Sequence, residues 1–186
     1  MHHIQQYYPI SPCFSEKKTD KIVRLCDQVF TEQAQVIAKE GSKKRNTVRR
    51  CKAGWLHLEA KTRWLFEDIW QVVSEVNDRT FQFEINEMES LQYLEYGPMN
   101  FFRWHTDNGA EAVARRKLTC IIQLSHSSDY WGGNLQIKAQ EPERRPPRDR
   151  GSVVIFPSHL LHRATPVLLG TRKVLVAWIR GTKPLR

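Results

Sequence analysis

Two residues whose side chains bind metal ions lie close together in the chain, and a third follows farther along. His105 and Asp107 offer an imidazole and a carboxylate, and His162 offers a second imidazole. Side chains at positions i and i+2 of a β-strand leave the same face, so His105 and Asp107 can bind one ion together. Two imidazoles and one carboxylate on one side of an octahedron leave the opposite positions open for oxygen and a co-substrate. The pattern therefore predicts a mononuclear non-haem iron site.

The surroundings of these residues strengthen the prediction, since a His-x-Asp pair alone is common. An aromatic stretch at 101–104 leads into His105, and an apolar stretch that ends at Pro157 precedes His162. The third ligand is thus expected to come from a separate strand. His159 and His126 are alternative ligands, because each also offers an imidazole.

Arg172 follows His162 and opens a further apolar stretch. A guanidinium at the floor of an apolar barrel has to be paired, and a carboxylate held by two parallel hydrogen bonds fits it best. A dicarboxylic 2-oxo acid would supply that carboxylate and would chelate the iron through its 2-oxo group and its nearer carboxylate. The alternative is that Arg172 pairs within the protein, with an acidic residue such as Glu95 or Asp129.

Length and composition indicate one folded unit. Of 186 residues, 40% are hydrophobic and 26% charged, so we expect a single domain over 1–186. No apolar stretch is long enough to span a bilayer, and residues 1–10 lack the layout of an export signal, so we expect a cytoplasmic protein with no membrane partner. The scattered cysteines, Cys13, Cys26, Cys51 and Cys120, are expected to be free thiols, and nothing in the sequence indicates an oligomeric state.

The chain is basic, with a formal net charge of +9, and clustered Lys and Arg residues attract nucleic acid. Much of the excess lies in two loop-like stretches: Lys43, Lys44, Arg45, Arg49, Arg50 and Lys52, and then Arg144, Arg145, Arg148 and Arg150. The other interpretation of both stretches is a solvated loop or a landing site for an acidic substrate. Nucleic acid therefore stays an alternative partner.

The first part of the chain has the periodicity of two helices. The first is predicted from Ser15 to Lys39, with Thr19 or Asp20 as its cap and Gly41 as its stop. Its apolar face is predicted to contain Ile22, Cys26, Val29 and Ile37. After a short extended piece, Trp55 to Leu58, a second helix is predicted from the spacing of Leu65, Ile69, Val72, Val73 and Val76, and it should end at Asn77 and Asp78.

From Phe81 the apolar residues alternate with polar ones, beginning with Phe81, Phe83 and Ile85, and this pattern predicts strands. Turns are predicted at Gly97-Pro98 and Gly132-Gly133, and a long surface loop at 141–150. The apolar stretches 153–156 and 174–179 are short enough to be buried strands. Helices followed by many short strands imply an α+β layout, in which the helices brace one side of a double-layered β-barrel.

Three segments carry a resemblance to a known family. They are His105-Thr106-Asp107, the stretch YWGGNL at 130–135, and the stretch that runs from Phe156 to Arg172. In order and approximate spacing they resemble the iron(II)- and 2-oxoglutarate-dependent dioxygenases of the prolyl 4-hydroxylase-like branch. The similarity extends from about Arg49 to Trp178.

This resemblance implies a double-stranded β-helix, or jelly roll, and a role for each matched residue. The implied metal ligands are His105, Asp107 and His162, and Arg172 is the implied anchor for 2-oxoglutarate. Tyr96 matches a family tyrosine that reaches the co-substrate, and Gln123 stands where some relatives carry a co-substrate tyrosine. The implied cofactors are Fe(II), 2-oxoglutarate and O2, to which ascorbate is added.

The resemblance also implies hydroxylation of an unactivated C–H bond, because halogenating relatives lack a carboxylate at the position of Asp107. Phe102 departs from the family, in which many members have a tyrosine there, so the substrate is less defined: an amino acid, a peptide or protein residue, or a related small molecule. Trp104, Trp131 and Trp178 are candidates for an apolar pocket wall, and Arg49 or Arg50 for contact with a substrate carboxylate.

Two other functions fit parts of the sequence. The basic excess favours oxidative demethylation of nucleic acid on the same fold, although Arg180 follows Arg172 at the wrong interval for the paired arginines of that branch. The other is a catalytically silent jelly-roll binding module, which the intact set of Asp107, His162 and Arg172 argues against.

Overall fold

The computed structural model describes residues 7–40, 48–138 and 146–184 of the chain. Its helices are α1 (Glu16–Glu40) and α2 (Arg63–Val76), with a π-helical turn at Asn77–Phe81 and a 3-10 turn at Glu111–Val113. The strands are β1 (Tyr8–Ile10), β2 (Arg49–Arg50), β3 (Lys52–Leu56), β4 (Glu87–Met88), β5 (Leu91–Tyr96), β6 (Phe101–His105), β7 (Arg116–Gln123), β8 (Tyr130–Gly132), β9 (Leu135–Ile137), β10 (Val153–Pro157), β11 (His162–Ala164), β12 (Val167–Gly170) and β13 (Arg172–Arg180).

Helix α1 starts at a different cap from the predicted one. The Ser15 hydroxyl accepts the N–H of Lys18 at 3.3 Å, and the Ser15 carbonyl accepts the N–H of Thr19 at 2.8 Å. Because Ser15 already satisfies the N–H groups of the first turn, Thr19 and Asp20 lie inside the helix, and the prediction that either caps it is wrong.

The apolar face predicted for α1 is confirmed where the structure describes it. Ile22, Cys26 and Val29 are buried against the sheet and α2. The side chain of Ile37, and Gly41 as a stop signal, lie outside the described residues.

Helix α2 has the predicted apolar face and the predicted end. Leu65, Ile69, Val73 and Val76 are buried, and Val72 is partly buried. The α-helix ends at Val76 with Asn77 as its C-cap, and the chain then continues as the π-helical turn to Phe81, which closes at Gln82, whose φ is 53°. The left-handed residue thus ends the segment, as glycine or asparagine commonly does at helix ends.

The strand predicted from Phe81, Phe83 and Ile85 is wrong. Asn77 donates through Nδ2 to the Phe83 carbonyl at 2.9 Å and accepts the Phe83 N–H at 3.0 Å through Oδ1. The backbone at Phe83 therefore pairs with a side chain instead of a neighbouring strand. The alternating apolar residues still pack against the core, and the first strand of this region is the two-residue β4.

A seven-stranded sheet forms the centre of the molecule, in the order β1-β10-β7-β13-β5-β3, with β4 also paired to β13. All of these pairs are antiparallel. Along β13 successive side chains alternate, so that Leu175 and Ala177 face the helices while Val174 and Val176 face the other side. Because both faces of the central strands are covered, β10 and residues 174–179 of β13 are continuously apolar, and the two predicted buried strands are confirmed.

The second layer is a four-stranded sheet in the order β2-β6-β11-β9, with the pair β8 and β12 beside it. A second apolar cluster lies between the two layers, and the site described below opens into it. Two facing antiparallel sheets with helices on one outer side agree with the α+β layout and with the jelly roll implied by the resemblance.

The predicted turns and thiols agree with the structure. The Asn100 N–H donates to the Gly97 carbonyl at 3.0 Å, which closes the turn at Gly97-Pro98. Gly132 and Gly133 have φ values of +78° and +60°, which suit glycine at the turn between β8 and β9. All four cysteines are free. Residues 141–145 of the predicted surface loop lie outside the described residues.

None of the described helices combines the length and the apolar character that a bilayer span requires.

Replacing Asn77 with Ala should destabilise the protein. The side chain is buried, and its loss would leave the N–H and the carbonyl of Phe83 without their partner. We expect the free energy of unfolding in urea to fall by about 1–3 kcal/mol. Asp78→Ala, at the adjacent exposed position, is the control and should change little; equal stability of the two variants would contradict this account.

Candidate metal centre

His105, Asp107 and His162 come together from two strands and a bend. His105 is the last residue of β6, Asp107 lies in the bend that follows, and His162 is the first residue of β11. The two strands are antiparallel, with His162 directly opposite His105. Because β6 ends at His105, the prediction that His105 and Asp107 share one face of a strand is wrong in its geometry. The bend brings the carboxylate to the histidines.

The ligand atoms of the three residues converge. Asp107 Oδ1 lies 3.6 Å from His105 Nε2, and Asp107 Oδ2 lies 3.4 Å from His162 Nε2. One ligand atom from each of the three residues can be chosen so that all three atoms lie within 4.8 Å of one another. Two imidazole nitrogens and one carboxylate suit Fe(II), and three protein ligands leave positions for others. The residues present therefore fit a mononuclear iron ion.

Backbone carbonyls orient both imidazoles. His105 Nδ1 lies 2.7 Å from the Arg103 carbonyl, and His162 Nδ1 lies 3.0 Å from the Leu160 carbonyl. A carbonyl oxygen can only accept, so each Nδ1 must carry the proton and donate it. In the neutral ring the lone pair then resides on Nε2, which is the atom that faces Asp107.

A β-bulge places Phe102 on the same face as His105. Residues three apart on a regular strand face opposite sides, but the pairing of β6 with β11 is irregular between His162 and Ala164, which lies opposite Phe102. As a result the Phe102 ring stacks on the His105 imidazole, with ring centroids 3.4 Å apart and an interplanar angle of 11°. An apolar ring therefore covers one face of this ligand.

Burial keeps His105 neutral. Burial, followed by the neighbouring His162, lowers the pKa of His105 to about 4, although hydrogen bonding to the Arg103 carbonyl and the charge of Asp107 act in the opposite direction. At neutral pH the imidazole is thus unprotonated, as a metal ligand must be.

The alternative ligands lie elsewhere. His159 is exposed in the segment before His162. His126 is also exposed, and its Nε2 lies 4.0 Å from a Glu16 carboxylate oxygen. Among the described residues, the structure therefore groups His162 with the His105–Asp107 pair, and neither alternative joins it.

Side chains that sequence analysis did not single out support Asp107. Arg116 donates through Nη1 to the Asp107 carbonyl at 3.2 Å and binds both carboxylate oxygens of Glu89, at 3.0 and 2.6 Å. The Arg116 guanidinium also lies 4.0 Å from the centroid of the Trp178 ring. Thr119 donates to Asp107 Oδ2 at 2.7 Å. These partners are distant in sequence and depend on strand register, so residue types alone gave no signal for them.

Arg172 lies at the inner end of the same pocket and is only 2% exposed. Its Nη2 donates to Gln123 Oε1 at 3.2 Å, and its guanidinium lies 5.6 Å from the centroid of the Tyr96 ring. Within the part of the chain that the structure describes, no carboxylate forms an ion pair with Arg172.

The alternative that Arg172 pairs with an acidic residue such as Glu95 or Asp129 is therefore wrong. Glu95 binds Lys52 at 2.9 Å, and Asp129 accepts the His126 N–H at 3.0 Å. A buried guanidinium with a neutral amide as its hydrogen-bond partner is costly unless an anion joins it. The pocket at Arg172 thus has the chemistry to bind a carboxylate.

Burial raises the pKa of the Tyr96 phenol, which remains a protonated donor beside Arg172. Gln123 is 2% exposed, and its oxygen is occupied by Arg172, so its amide nitrogen is left to donate. The structure places the predicted co-substrate residues, Arg172, Tyr96 and Gln123, at neighbouring positions of β13, β5 and β7.

Apolar side chains of both layers close the pocket between the metal ligands and Arg172. They include Leu94, Ile121, Leu135, Val174, Val176 and Trp178. Of the tryptophans predicted to form the wall, Trp178 does so. Trp131 is 68% exposed, and Trp104 packs under the Arg163 guanidinium at 4.6 Å, so those two predictions are wrong.

Glycine is required at one point of this wall. A Cβ on Gly133 would lie 2.8 Å from Val167 Cγ2 and 3.3 Å from Arg172 Cδ. The backbone of Gly133 therefore packs directly against the side chain that carries the buried guanidinium.

Several residues of the two basic stretches bind within the protein. Arg150 forms ion pairs with Glu16 and Asp20, and Arg148 donates to Asn134 at 2.8 Å. Arg49 donates to Gln92 at 3.3 Å. These contacts weaken the nucleic-acid interpretation of the two basic stretches, whose members at 43–45 and 144–145 lie outside the described residues.

Solved structures with the same architecture define the class of fold. A prolyl-4-hydroxylase from Pseudomonas putida superposes with a TM-score of 0.74 at 16% identity and covers 95% of this chain and 92% of its own. A viral collagen prolyl hydroxylase from Paramecium bursaria Chlorella virus 1, in complex with 2OG, superposes with a TM-score of 0.68 at 17% identity and covers 96% and 97%. At these identities the likeness shows the fold, and it confirms the predicted jelly roll.

The sequence comparisons support the resemblance stated from the sequence. Residues 91–180, which contain His105, Asp107, His162 and Arg172, match the model of the 2OG-Fe(II) oxygenase superfamily. A PKHD-type hydroxylase of Picosynechococcus sp. is 33% identical over 94 residues, which are 50% of this chain and 43% of the relative. A PKHD-type hydroxylase of Crocosphaera subtropica is 35% identical over 97 residues, 50% and 44% of the two chains. The matched region thus spans less than half the length of these relatives.

The depressed pKa of His105 predicts a pH dependence of stability. The unfolded state takes up a proton near the ordinary pKa of 6.5, whereas the folded state does so near 4. Between these values the unfolded state binds more protons, so the free energy of unfolding of the metal-free protein should fall as the pH is lowered from 6.5 to 4. Urea unfolding at a series of pH values should show a smaller fall in His105→Asn. The exposed control His159→Asn should keep the wild-type slope, and equal slopes in all three proteins would refute the assignment.

Proposed function

We propose that the protein is an Fe(II)- and 2-oxoglutarate-dependent dioxygenase that hydroxylates an unactivated C–H bond. One observation carries this proposal: the Nε2 atoms of two histidines and a carboxylate converge at one side of a pocket whose inner end holds a buried arginine without a carboxylate partner among the described residues. The first group fits the metal, and the second fits the co-substrate that this class of reaction consumes.

His105, Asp107 and His162 would hold the iron in this proposal. Their orientation is fixed before metal binding, because the Nδ1–H groups donate to backbone carbonyls and Thr119 donates to the carboxylate. Bound iron, together with oxygen and 2-oxoglutarate, supplies the oxidising chemistry. The contribution of the chain is to keep three ligands on one side and so leave room for the co-substrate and oxygen.

Arg172, Gln123 and Tyr96 would bind 2-oxoglutarate. The Arg172 guanidinium would pair with the distal carboxylate, which is the anion its buried position requires. Gln123 would donate its amide N–H to the same co-substrate, and the protonated Tyr96 phenol would donate a further hydrogen bond. The apolar walls exclude water, so these hydrogen bonds form in a low dielectric, where they are stronger.

The proposed substrate is an amino acid, a peptide or protein residue, or a related small molecule, and a prolyl residue of a peptide is the form we favour. The pocket is also bordered by the buried residues Gln92 and Trp178. A similar structure from Trichoplax adhaerens, with a TM-score of 0.68, is a prolyl hydroxylase bound to a peptide fragment of hypoxia inducible factor.

We also propose that ascorbate serves as a reductant and that the protein is located in the cytoplasm. A reductant such as ascorbate would return iron to the ferrous state after uncoupled turnover. The described thiols Cys13, Cys26, Cys51 and Cys120 are all free, which suits a reducing compartment that also preserves Fe(II).

Two substitutions should separate metal binding from co-substrate binding. His105→Ala should lose the metal and turnover together, because two ligands cannot hold the ion as three do. Arg172→Ala should retain the metal but weaken 2-oxoglutarate binding by about 2 kcal/mol or more, which is roughly 30-fold in Kd. Metal content, 2-oxoglutarate affinity by calorimetry and succinate release measure the three effects.

His159→Ala is the matched control, since this exposed histidine lies in the segment that leads to His162. It should keep metal, affinity and succinate release at wild-type values. Full activity of His105→Ala, or unchanged 2-oxoglutarate affinity in Arg172→Ala, would remove the corresponding residue from the site.

The substrate class can be identified by mass spectrometry. Prolyl peptides, other peptides and free amino acids, incubated with protein, Fe(II), 2-oxoglutarate and ascorbate, should include a species that gains one oxygen atom. The gain should be largest for prolyl peptides and absent with His105→Ala. Oxygen gain on free amino acids alone would replace the peptide proposal, and succinate release that responds only to methylated oligonucleotides would favour the nucleic-acid demethylase.

A further inference from the structure

A chain of buried hydroxyl groups ends on the carboxylate of Asp107. Thr119 Oγ1 lies 2.7 Å from Asp107 Oδ2, and Ser158 Oγ lies 3.0 Å from Thr119 Oγ1. Thr119 and Ser158 are both fully buried, and Asp107 is 8% exposed. Solvent therefore cannot replace either hydroxyl without a rearrangement of the core.

The direction of these hydrogen bonds follows from the chemistry of the groups. An ionised carboxylate only accepts, so Thr119 must use its single hydroxyl proton toward Asp107. Thr119 Oγ1 can then only accept from Ser158, which donates. The order is thus Ser158 to Thr119 to Asp107, and each bond polarises the next and strengthens it.

The same residues join Asp107 to the rest of the fold. Thr119 lies on β7 in the centre of the large sheet, where it is paired with Phe156 of β10 and Trp178 of β13. The Ser158 carbonyl accepts the N–H groups of Asp107 and Asn108, at 2.9 and 3.2 Å. The bend that carries the carboxylate is therefore fixed to the large sheet, whereas both histidines belong to the four-stranded sheet.

We propose that Thr119 is a positioning residue that fixes the rotation of the Asp107 carboxylate for metal binding. Its hydroxyl takes one lone pair of Oδ2, which lies 3.4 Å from His162 Nε2, and so holds Oδ1 at 3.6 Å from His105 Nε2. This inference rests on the metal centre of the proposed function.

The orientation of this carboxylate matters for such a centre. A carboxylate that binds through both oxygens occupies an additional coordination position, and the co-substrate and oxygen need the positions that the protein leaves open. The hydroxyl donor fixes the rotation of the carboxylate and draws electron density from Oδ2, so Oδ1 is the stronger ligand of the two oxygens. Partners that orient a metal ligand in this way typically change metal affinity about 10- to 100-fold when they are removed.

Metal binding tests this inference without turnover. Thr119→Val keeps the shape of the side chain but removes the donor, and it should lower the affinity for Mn(II), measured by titration without 2-oxoglutarate, by about 10-fold or more. The visible spectrum of the Co(II)-loaded variant should also differ from that of the wild type. Thr119→Ser restores the hydroxyl and should restore both affinity and spectrum.

Thr19→Val is the matched control, because Thr19 is also fully buried and its hydroxyl bonds to the Ser15 carbonyl at 3.0 Å, on helix α1. It should lose stability but bind Mn(II) as the wild type does. A purely structural role of Thr119 would make the two valine variants alike, and wild-type affinity and spectrum in Thr119→Val would overturn the proposal.

Two further outcomes have separate meanings. If the wild-type protein itself does not bind Mn(II) or Co(II), the metal centre is wrong and the inference falls with it. If Thr119→Val does not fold, Ser158→Ala decides the matter, because it removes only the donor to Thr119. Weaker Mn(II) binding by Ser158→Ala would support the hydroxyl chain, and unchanged binding would overturn it.

Discussion

The antiparallel pairing of β6 with β11 is the constraint on which the site depends. It sets His162 opposite His105, and side chains opposite each other on neighbouring strands lie close enough to share a ligand. A shift of the register by one residue would turn every side chain of β11 to the other face. The bulge in this pairing adds Phe102 to the His105 side, so the strand irregularity determines both the ligand pair and the ring that covers it.

One apolar environment has two opposite electrostatic effects in this protein. It keeps the imidazole of His105 neutral by lowering its pKa, which makes the nitrogen lone pair available. It also surrounds Arg172, which cannot lose its proton and so requires an anion. The neutral imidazole of His105 suits a cation at one end of the pocket. The charged guanidinium of Arg172 suits a carboxylate at the other end.

Residue types and periodicity sufficed to predict the helices, the buried strands and the group formed by His105, Asp107, His162 and Arg172. What they could not predict depends on partners that are distant in the chain. The alternation of apolar residues at 81–85 predicted a strand. The same alternation occurs in an irregular segment in which every second side chain packs on the core, and here the backbone bonds to the side chain of Asn77. Nothing in the sequence distinguishes Thr119 from other strand threonines. Only the strand register shows that its hydroxyl donates to the Asp107 carboxylate.

Gly133 has a consequence for the position of the buried guanidinium. Its backbone packs against the aliphatic part of Arg172, with no side chain between them. A Cβ at this position would press on Val167 and Arg172, and the φ of +60° is one that other residues rarely adopt. The place at which the pocket holds its positive charge therefore depends on a tight turn of the main chain.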